Sequence, residues 1–192
     1  FRQVPTQNVR HGVQLLGRIL GRENEANPFA DYYMRQPRSI YARVGPIPDK
    51  QKPLGFVEHA AGLLPCCATF GPFNFGRFIE ESGGRNWGSQ FFSAFQAQAA
   101  QEKVLADNPD VYFLTGANWY GSNPGSSAVS LGYDATPEKV QKELAALMNR
   151  PGFQQLKAVQ ARKVMAFYHQ FYDAPYYFIA ELAMAKEFYP DR

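Results

Sequence analysis

The sequence predicts an α/β fold: a three-layer domain in which a mostly parallel, twisted sheet is flanked by helices. The first observation is the unbroken apolar run from Val111 to Leu114, which is typical of a strand covered on both faces. The second is the alternation of strand and helix patterns along the C-terminal part of the chain, which favours parallel pairing with right-handed crossovers. With 192 residues, 45% of them apolar, the chain can build a substantial core.

Two helices are predicted ahead of this domain. Residues 9–20 place their apolar side chains on one helical face, and Gly21 ends that helix. A second helix is predicted over residues 28–43. Pro28 suits its first turn, whereas we expect Pro37 to kink or interrupt it, because proline lacks the N–H that a helix interior needs.

A linker is predicted at residues 45–53, which are rich in proline. We therefore divide the chain into a helical segment, residues 1–52, and an α/β domain, residues 53–192. Within the domain we predict strands over 54–60, 111–114 and 163–168, and helices over 75–82 and 101–107 and from 137. A last helix is predicted with Asp173 as its cap and Pro175 inside its first turn. The stretches 62–74, 91–98 and 117–135 are predicted to be irregular.

The candidate binding residues lie in the segments that follow the predicted strands. Parallel strands deliver such segments to one edge of the sheet, where open α/β sheets hold ligands. The aromatic residues and the histidine offer flat faces and hydrogen-bond donors, and Arg77 could bind an anionic group. Each also has a structural alternative, since an aromatic loop can pack on its own domain and a single histidine is often a structural residue. The candidates are Phe73, Arg77, Trp119, Tyr120, Tyr168, His169 and Tyr172.

The two cysteines, Cys66 and Cys67, are adjacent. Neighbouring cysteines rarely bridge, so we expect two thiols, and their spacing predicts no metal site. A net charge of +3, from 20 basic and 17 acidic residues, indicates no nucleic-acid partner. No apolar run approaches the ~20 residues of a membrane span. The chain has no G-x-S-x-G and no glycine-rich phosphate motif, and a cysteine with His169 is the remaining candidate for hydrolase chemistry.

Four stretches, taken in order, resemble a known family: the substrate-binding proteins of ABC importers for iron-siderophores, haem and cobalamin (class III, helical-backbone type). Residues 79–86 (IEESGGRN) resemble a helix end of that family, and residues 101–116 resemble a helix and strand of its C-terminal lobe. Residues 152–164 resemble its approach to the last strand, and residues 180–190 (AELAMAKEFYP) resemble its closing helix. The similarity runs from about Leu15 to the C-terminus.

This resemblance implies a binding protein rather than an enzyme, with no catalytic residues, no metal of its own and no cofactor. The expected ligand is a ferric siderophore or similar metal chelate, with haem or cobalamin as alternatives, delivered to the membrane subunit of an ABC importer. The expected location is periplasmic, or extracytoplasmic and membrane-anchored. The N-terminal lobe would be missing, so we expect the chain to be a fragment in which residues 1–52 hold the end of that lobe and the connecting helix.

Two further residues acquire roles only through the resemblance. Gln96 lies where some members place a ligand contact. Glu102 matches a glutamate that meets an arginine of the importer's membrane subunit, although Ala100 stands where the family often has serine. The alternative for Glu102 is a helix N-terminal residue stabilised by the helix dipole. Beyond the binding protein, a small α/β hydrolase or a partner-binding domain also remain open.

Overall fold

The computed structural model describes residues 5–119 and 123–192. The chain begins with two helices, α1 (Pro5–Leu20) and α2 (Glu23–Val44), that pack against each other. The expectation that Pro37 interrupts the second helix is wrong in that α2 continues through it, and Pro28 lies inside α2 rather than in its first turn. The physical reason is burial: α2 packs on the rest of the molecule through Tyr33, Ile40 and Val44, and tertiary contacts override local propensity.

The strands of the described residues form a parallel sheet and a separate antiparallel pair. They are β1 (Leu54–Glu58), β2 (Ala68–Phe70), β3 (Arg85–Asn86), β4 (Gln96–Gln98), β5 (Val111–Gly116) and β6 (Val164–Tyr168). The main sheet has the order β3-β1-β5-β6 with every pair parallel, and β2 pairs with β4 in antiparallel fashion. The remaining helices are α3 (Asn74–Glu81), α4 (Gln101–Asp107), α5 (Pro137–Met148), α6 (Lys157–Gln160) and α7 (Phe178–Phe188).

Successive strand residues face opposite sides of the sheet, so the sheet separates two cores. On one side, Val57 and Phe113 pack in a core that includes side chains of α2, α3 and α7. On the other side, Phe56, Tyr112 and Leu114 pack in a core that includes side chains of α4, α5 and α6. The fold is therefore the predicted one: a mostly parallel sheet between two layers of helices, preceded by a helical segment.

Two regions predicted to be irregular carry short strands, and the last helix starts later than expected. β2 and β4 hold three residues each and pair across a long stretch of chain, so no local periodicity reveals them. Residues 169–173 form a 3-10 helix, and α7 begins at Phe178, so Asp173 does not cap it. No helix among the described residues is both long and apolar enough to cross a bilayer.

The expectation of two separate thiols at Cys66 and Cys67 is also wrong. The structure joins them by a disulfide across a cis peptide bond, with their Cα atoms 3.0 Å apart. A cis peptide shortens the Cα–Cα separation by almost an ångström relative to a trans one, which lets adjacent sulfur atoms meet.

Candidate ligand-binding site

The segments that follow β1, β5 and β6 converge at the carboxyl edge of the parallel sheet. From β1 the chain goes to β3 on one side and then crosses to β5 on the other, so the order of the strands reverses between β1 and β5. Such a reversal opens a crevice beyond the strand ends, where ligands bind in open α/β sheets. His59 directly follows β1, Trp119 lies three residues after β5, and His169 directly follows β6.

These segments meet through their rings. The imidazoles of His59 and His169 stack with their ring centroids 5.1 Å apart and an angle of 2° between the ring planes. Trp119 and Tyr172 each contact His169 edge-on, at centroid distances of 5.2 Å and 5.3 Å. The result is one aromatic cluster built from three segments that are distant in the sequence.

Thr115, near the end of β5, links the segments that follow β1 and β6 through hydrogen bonds. Its Oγ1 accepts a hydrogen bond of 2.9 Å from the backbone N–H of Ala60 and lies 3.0 Å from Nδ1 of His169. Thr115 is fully buried near the end of β5, so both hydrogen bonds are shielded from water. We infer that they fix the position of His169 relative to the segment after β1.

Both histidines are neutral at neutral pH. Burial, and then the neighbouring His169, lower the pKa of His59 to about 4, and a hydrogen bond with Gln96 opposes this shift. Burial also lowers the pKa of His169, with the Asp173 carboxylate opposing it. Neutral imidazoles offer flat faces and nitrogen lone pairs without bringing positive charge to the site.

Phenylalanines extend the cluster along the antiparallel pair β2–β4. Phe70 lies against His59 at a centroid distance of 4.4 Å, and Phe95 meets Phe70 edge-on at 5.7 Å. Phe73 contacts Phe95 at 6.1 Å. Phe73 and Phe95 are 44% and 52% exposed, so the outer end of this row offers apolar rings to solvent.

A buried ion pair fixes the end of β1 beside the site. Glu58 is 0% exposed, and its two carboxylate oxygens accept hydrogen bonds of 2.7 Å and 2.6 Å from the guanidinium of Arg150. The hydroxyl of Tyr112 donates a further hydrogen bond of 2.8 Å to Glu58, and burial raises the pKa of Tyr112 well above its usual value. A bidentate pair of this kind restricts geometry more than a single hydrogen bond does. The ion pair therefore restrains the end of β1, and His59 is the residue that follows it.

The structure brings five of the predicted site residues to this cluster. Trp119, His169 and Tyr172 form its centre. Gln96 forms a hydrogen bond with His59, and Phe73 lies at the outer end of the cluster. The remaining three predicted residues are Tyr168, Arg77 and Tyr120. Tyr168 contacts Phe171 at 6.2 Å beside the cluster, Arg77 forms an ion pair with Glu81 along α3, and Tyr120 lies outside the described residues.

Glu102 is exposed in the first turn of α4. Its helix begins three residues after β4, whose Gln96 reaches His59, and α4 ends shortly before the start of β5. Glu102 thus lies at the end of α4 that follows β4 and not at the end that leads to β5.

Sequence reasoning missed His59 as a site residue. The first strand was predicted to run to residue 60, which placed His59 inside it, whereas β1 ends at Glu58. A predicted strand end two residues earlier, at Glu58, would have put a histidine at the head of the segment after β1, matching His169 after β6. Phe70 is the last residue of β2, whose three residues are too few to show a pattern, and Phe95 directly precedes β4.

The arrangement is suited to binding a ligand with flat, partly apolar surfaces. Aromatic rings supply contact area, and the two imidazoles and Gln96 supply a few hydrogen-bonding groups, as in most small-molecule sites. For hydrolase chemistry, neither Cys66 nor Cys67 presents a thiol to His169, since the two sulfur atoms are bonded to each other.

Comparisons with known proteins identify the fold. No protein-family model matches the sequence, and no curated protein matches it. Among solved structures, the TroA-like periplasmic binding protein FepB from Veillonella parvula superimposes with a TM-score of 0.87 at 24% identity, over 97% of this chain and 53% of that one.

More distant structures superimpose over a similar share of the chain. The Fe3+-hydroxamate transport protein from Saccharomonospora viridis gives a TM-score of 0.66 at 16% identity, over 96% of this chain and 56% of that one. The molybdate periplasmic binding protein MolA from Haemophilus influenzae gives 0.66 at 15% identity, over 96% and 50%. The chain spans about half the length of these structures, and it has the fold of one lobe of such a binding protein.

Proposed function

We propose that this chain is the C-terminal lobe and connecting helix of a solute-binding protein of an ABC importer, and that it binds a ferric siderophore or similar metal chelate. The observation that carries the proposal is the meeting of His59, Trp119, His169 and Tyr172 at the carboxyl edge of the sheet. The fold supports it, because the similar structures are periplasmic binding proteins. On this proposal the protein acts outside the cytoplasm and performs no catalysis.

A chelate fits the chemistry of the site better than a small polar solute does. Siderophore chelates carry flat catechol or hydroxamate groups, and aromatic rings pack against such surfaces. Phe73 and Tyr168 would extend the contact area at the rim. Arg77, half-buried on α3 and paired with Glu81, would attract an anionic chelate.

Haem and cobalamin are the second candidates, because a tetrapyrrole is also flat and would use the same rings. One titration separates the three ligands. A ferric hydroxamate, haem and cobalamin are each added to the 192-residue chain while tryptophan fluorescence is followed. We expect quenching by the ferric hydroxamate, with weak affinity, because a one-sided site leaves much of the ligand in water.

Variants assign the signal to the site. Trp119→Phe should remove most of the quenching, because the other tryptophan, Trp87, is buried in the core on the opposite face of the sheet and 1% exposed. His169→Ala should weaken binding by roughly tenfold, the effect of losing about 1.4 kcal/mol of contact. His11→Ala, at an exposed position on α1, is the matched control.

Two results would count against the proposal. Quenching that survives Trp119→Phe would place the ligand elsewhere. Hydrolysis of a model ester that appears when the Cys66–Cys67 disulfide is reduced, and is lost when the two cysteines are replaced, would favour the enzyme alternative instead.

Docking to the importer's membrane subunit is proposed for Glu102. It is exposed and forms no ion pair within residues 5–119 and 123–192. An exposed charge at a rim influences docking and association rate more than it influences affinity. The alternative remains stabilisation of α4 through the helix dipole, about 0.3–1 kcal/mol.

A further inference from the structure

A cavity of about 230 Å³ lies between the last turns of α2 and α7. Its floor is apolar: Ile40 and Val44 of α2 are 3% and 4% exposed, and Leu182 and Ala185 of α7 face them across the cavity. The ring of Tyr189 completes the wall. The cavity therefore offers an apolar surface about large enough for one small ring.

Every charged side chain that lines this cavity is cationic: Arg43, Lys186 and Arg192. Arg192 donates to the backbone carbonyl of Arg43, and Lys186 donates to the carbonyl of Pro190. None of the three forms an ion pair with a carboxylate anywhere in the described part of the chain.

Helix capping accounts for part of this charge but not for the whole arrangement. Arg43 and Lys186 lie in the last turns of α2 and α7, where cations stabilise helix dipoles. Capping does not require two helix ends to share a cavity with an apolar floor. It also does not explain Arg192, which lies outside the helices and whose guanidinium donates to the carbonyl of Arg43 and lies over the ring of Tyr189. Three cations around an apolar cavity match a ligand with a negative head and an apolar body.

The cavity is separate from the candidate ligand-binding site. The hydroxyl of Tyr189 donates to the carbonyl of Gly83, which lies two residues before β3 and thus at the amino edge of the sheet. Val44 lies against Gly83 on the same edge. The histidine cluster stands at the opposite, carboxyl edge of the sheet.

We infer that this cavity binds a small organic carboxylate with an apolar body, such as an aromatic monocarboxylate. A guanidinium presents two parallel N–H donors that match the two oxygens of a carboxylate, and Arg43 and Arg192 both supply this group. The volume is below the 300–1,000 Å³ typical of sites for drug-sized ligands, so the ligand is a single small ring rather than a chelate. The inference does not depend on the proposed chelate function.

Benzoate is the probe, and its binding to the 192-residue chain is followed by amide NMR shifts. We expect saturable shifts at residues of α2 and α7 around the cavity. Benzyl alcohol, which has the ring without the charge, and acetate, which has the charge without the ring, should each bind at least about tenfold more weakly, a loss of roughly 1.4 kcal/mol.

Arg43→Gln should weaken benzoate binding by about tenfold or more. Arg38→Gln is the matched control, because Arg38 is an exposed arginine of α2 that does not line the cavity. Lys186→Gln gives an independent variant from α7 should Arg43→Gln fold poorly. Equal binding of benzoate by the Arg43→Gln and Arg38→Gln variants, equal binding of benzoate and acetate, or no saturable shift up to tens of millimolar would each overturn the inference.

Discussion

At the scale of single residues, two neighbouring ionisable side chains, those of Glu58 and His59, lie in different surroundings. His59 lies among rings and is kept neutral, whereas Glu58, its neighbour, lies in a bidentate pair with the guanidinium of Arg150. The difference follows from partners: a buried charge persists only where an opposite charge and hydrogen bonds compensate its desolvation. Each case leads to a prediction.

His59 should make stability depend on pH. Its pKa is lowered to about 4, from an ordinary value of 6.5, so the unfolded chain binds the proton more readily than the folded one. The contribution of neutral, buried His59 to the free energy of unfolding is fully present above pH 6.5 and is lost as the pH falls towards 4. We expect His59→Gln to gain about 1–2 kcal/mol relative to the wild type between these values, after allowing for partial solvent exposure.

Urea unfolding of both proteins across this pH range measures the difference, and comparison with the wild type cancels the other titrating groups. His11→Gln on α1 serves as the control and should follow the wild-type curve. A constant difference between His59→Gln and the wild type from pH 7 to pH 4 would show that His59 titrates alike in the folded and unfolded chains.

Arg150→Met should destabilise the fold strongly. It would leave the carboxylate of Glu58, which is 0% exposed, without its charge partner, and breaking a buried pair costs about 3–5 kcal/mol. Lys103→Met removes the more exposed pair with Asp107 and should cost at most about 1 kcal/mol. Equal midpoints of urea unfolding for the two variants would refute a structural role for the buried pair.

At the scale of elements, short strands and a helix that contains proline position several side chains of the molecule. The pair β2–β4 carries Phe70 and Gln96 to His59, although each strand has only three residues. The helix α2 continues through Pro37, whose missing N–H leaves the carbonyl of Tyr33 without its usual helical partner. Packing of α2 against the domain maintains the helix.

Pro37→Ala should therefore stabilise the protein. A proline inside a helix costs up to about 3 kcal/mol relative to alanine, and part of this is recovered when the i→i−4 hydrogen bond can form. We expect an increase of about 1–3 kcal/mol in the free energy of unfolding. Pro46→Ala, in the turn after α2, is the control and should produce no such gain. A lower unfolding midpoint for Pro37→Ala would mean that α2 needs the proline geometry.

At the scale of the whole molecule, the proposed function requires one face of a binding site and one rim for docking. Both depend on the parallel sheet, because it brings the ends of β1, β5 and β6 to the same edge. The chain superimposes on about half the length of each of the periplasmic binding proteins that it resembles. A role in transport is therefore tested in a two-lobed protein, which the proposed function supposes.

Glu102→Ala, made in that two-lobed protein, should leave chelate affinity almost unchanged and lower uptake by the cognate importer. Glu102→Arg should lower uptake further, because it adds repulsion to a lost attraction. Glu138→Ala is the matched control, since Glu138 is also an exposed glutamate in the first turn of a helix, α5. Uptake and chelate binding are measured on the same variants. If binding collapses while transport per bound chelate stays normal, Glu102 serves the ligand or the fold and not docking.

The sequence by itself determined the class of fold and most of the long elements. The apolar run of β5, the amphipathic pattern of α1 and the Thr136 cap of α5, whose hydroxyl accepts from the N–H of Lys139, are local features that hydrophobicity and hydrogen bonding specify over a few residues. The edge of the sheet that carries the candidate site follows from the same pattern, because parallel strands end together.

Tertiary structure decided which side chains meet there. The stacking of His59 on His169, the pairing of β2 with β4 and the bond between Glu58 and Arg150, 92 residues apart, join parts of the chain that carry no signal about one another. Such contacts form only when the sheet is assembled, because the free energy comes from burial at the assembled edge and not from the conformation of either segment alone. For the same reason α2 continues through Pro37: the packing of a whole helix outweighs the preference of one residue.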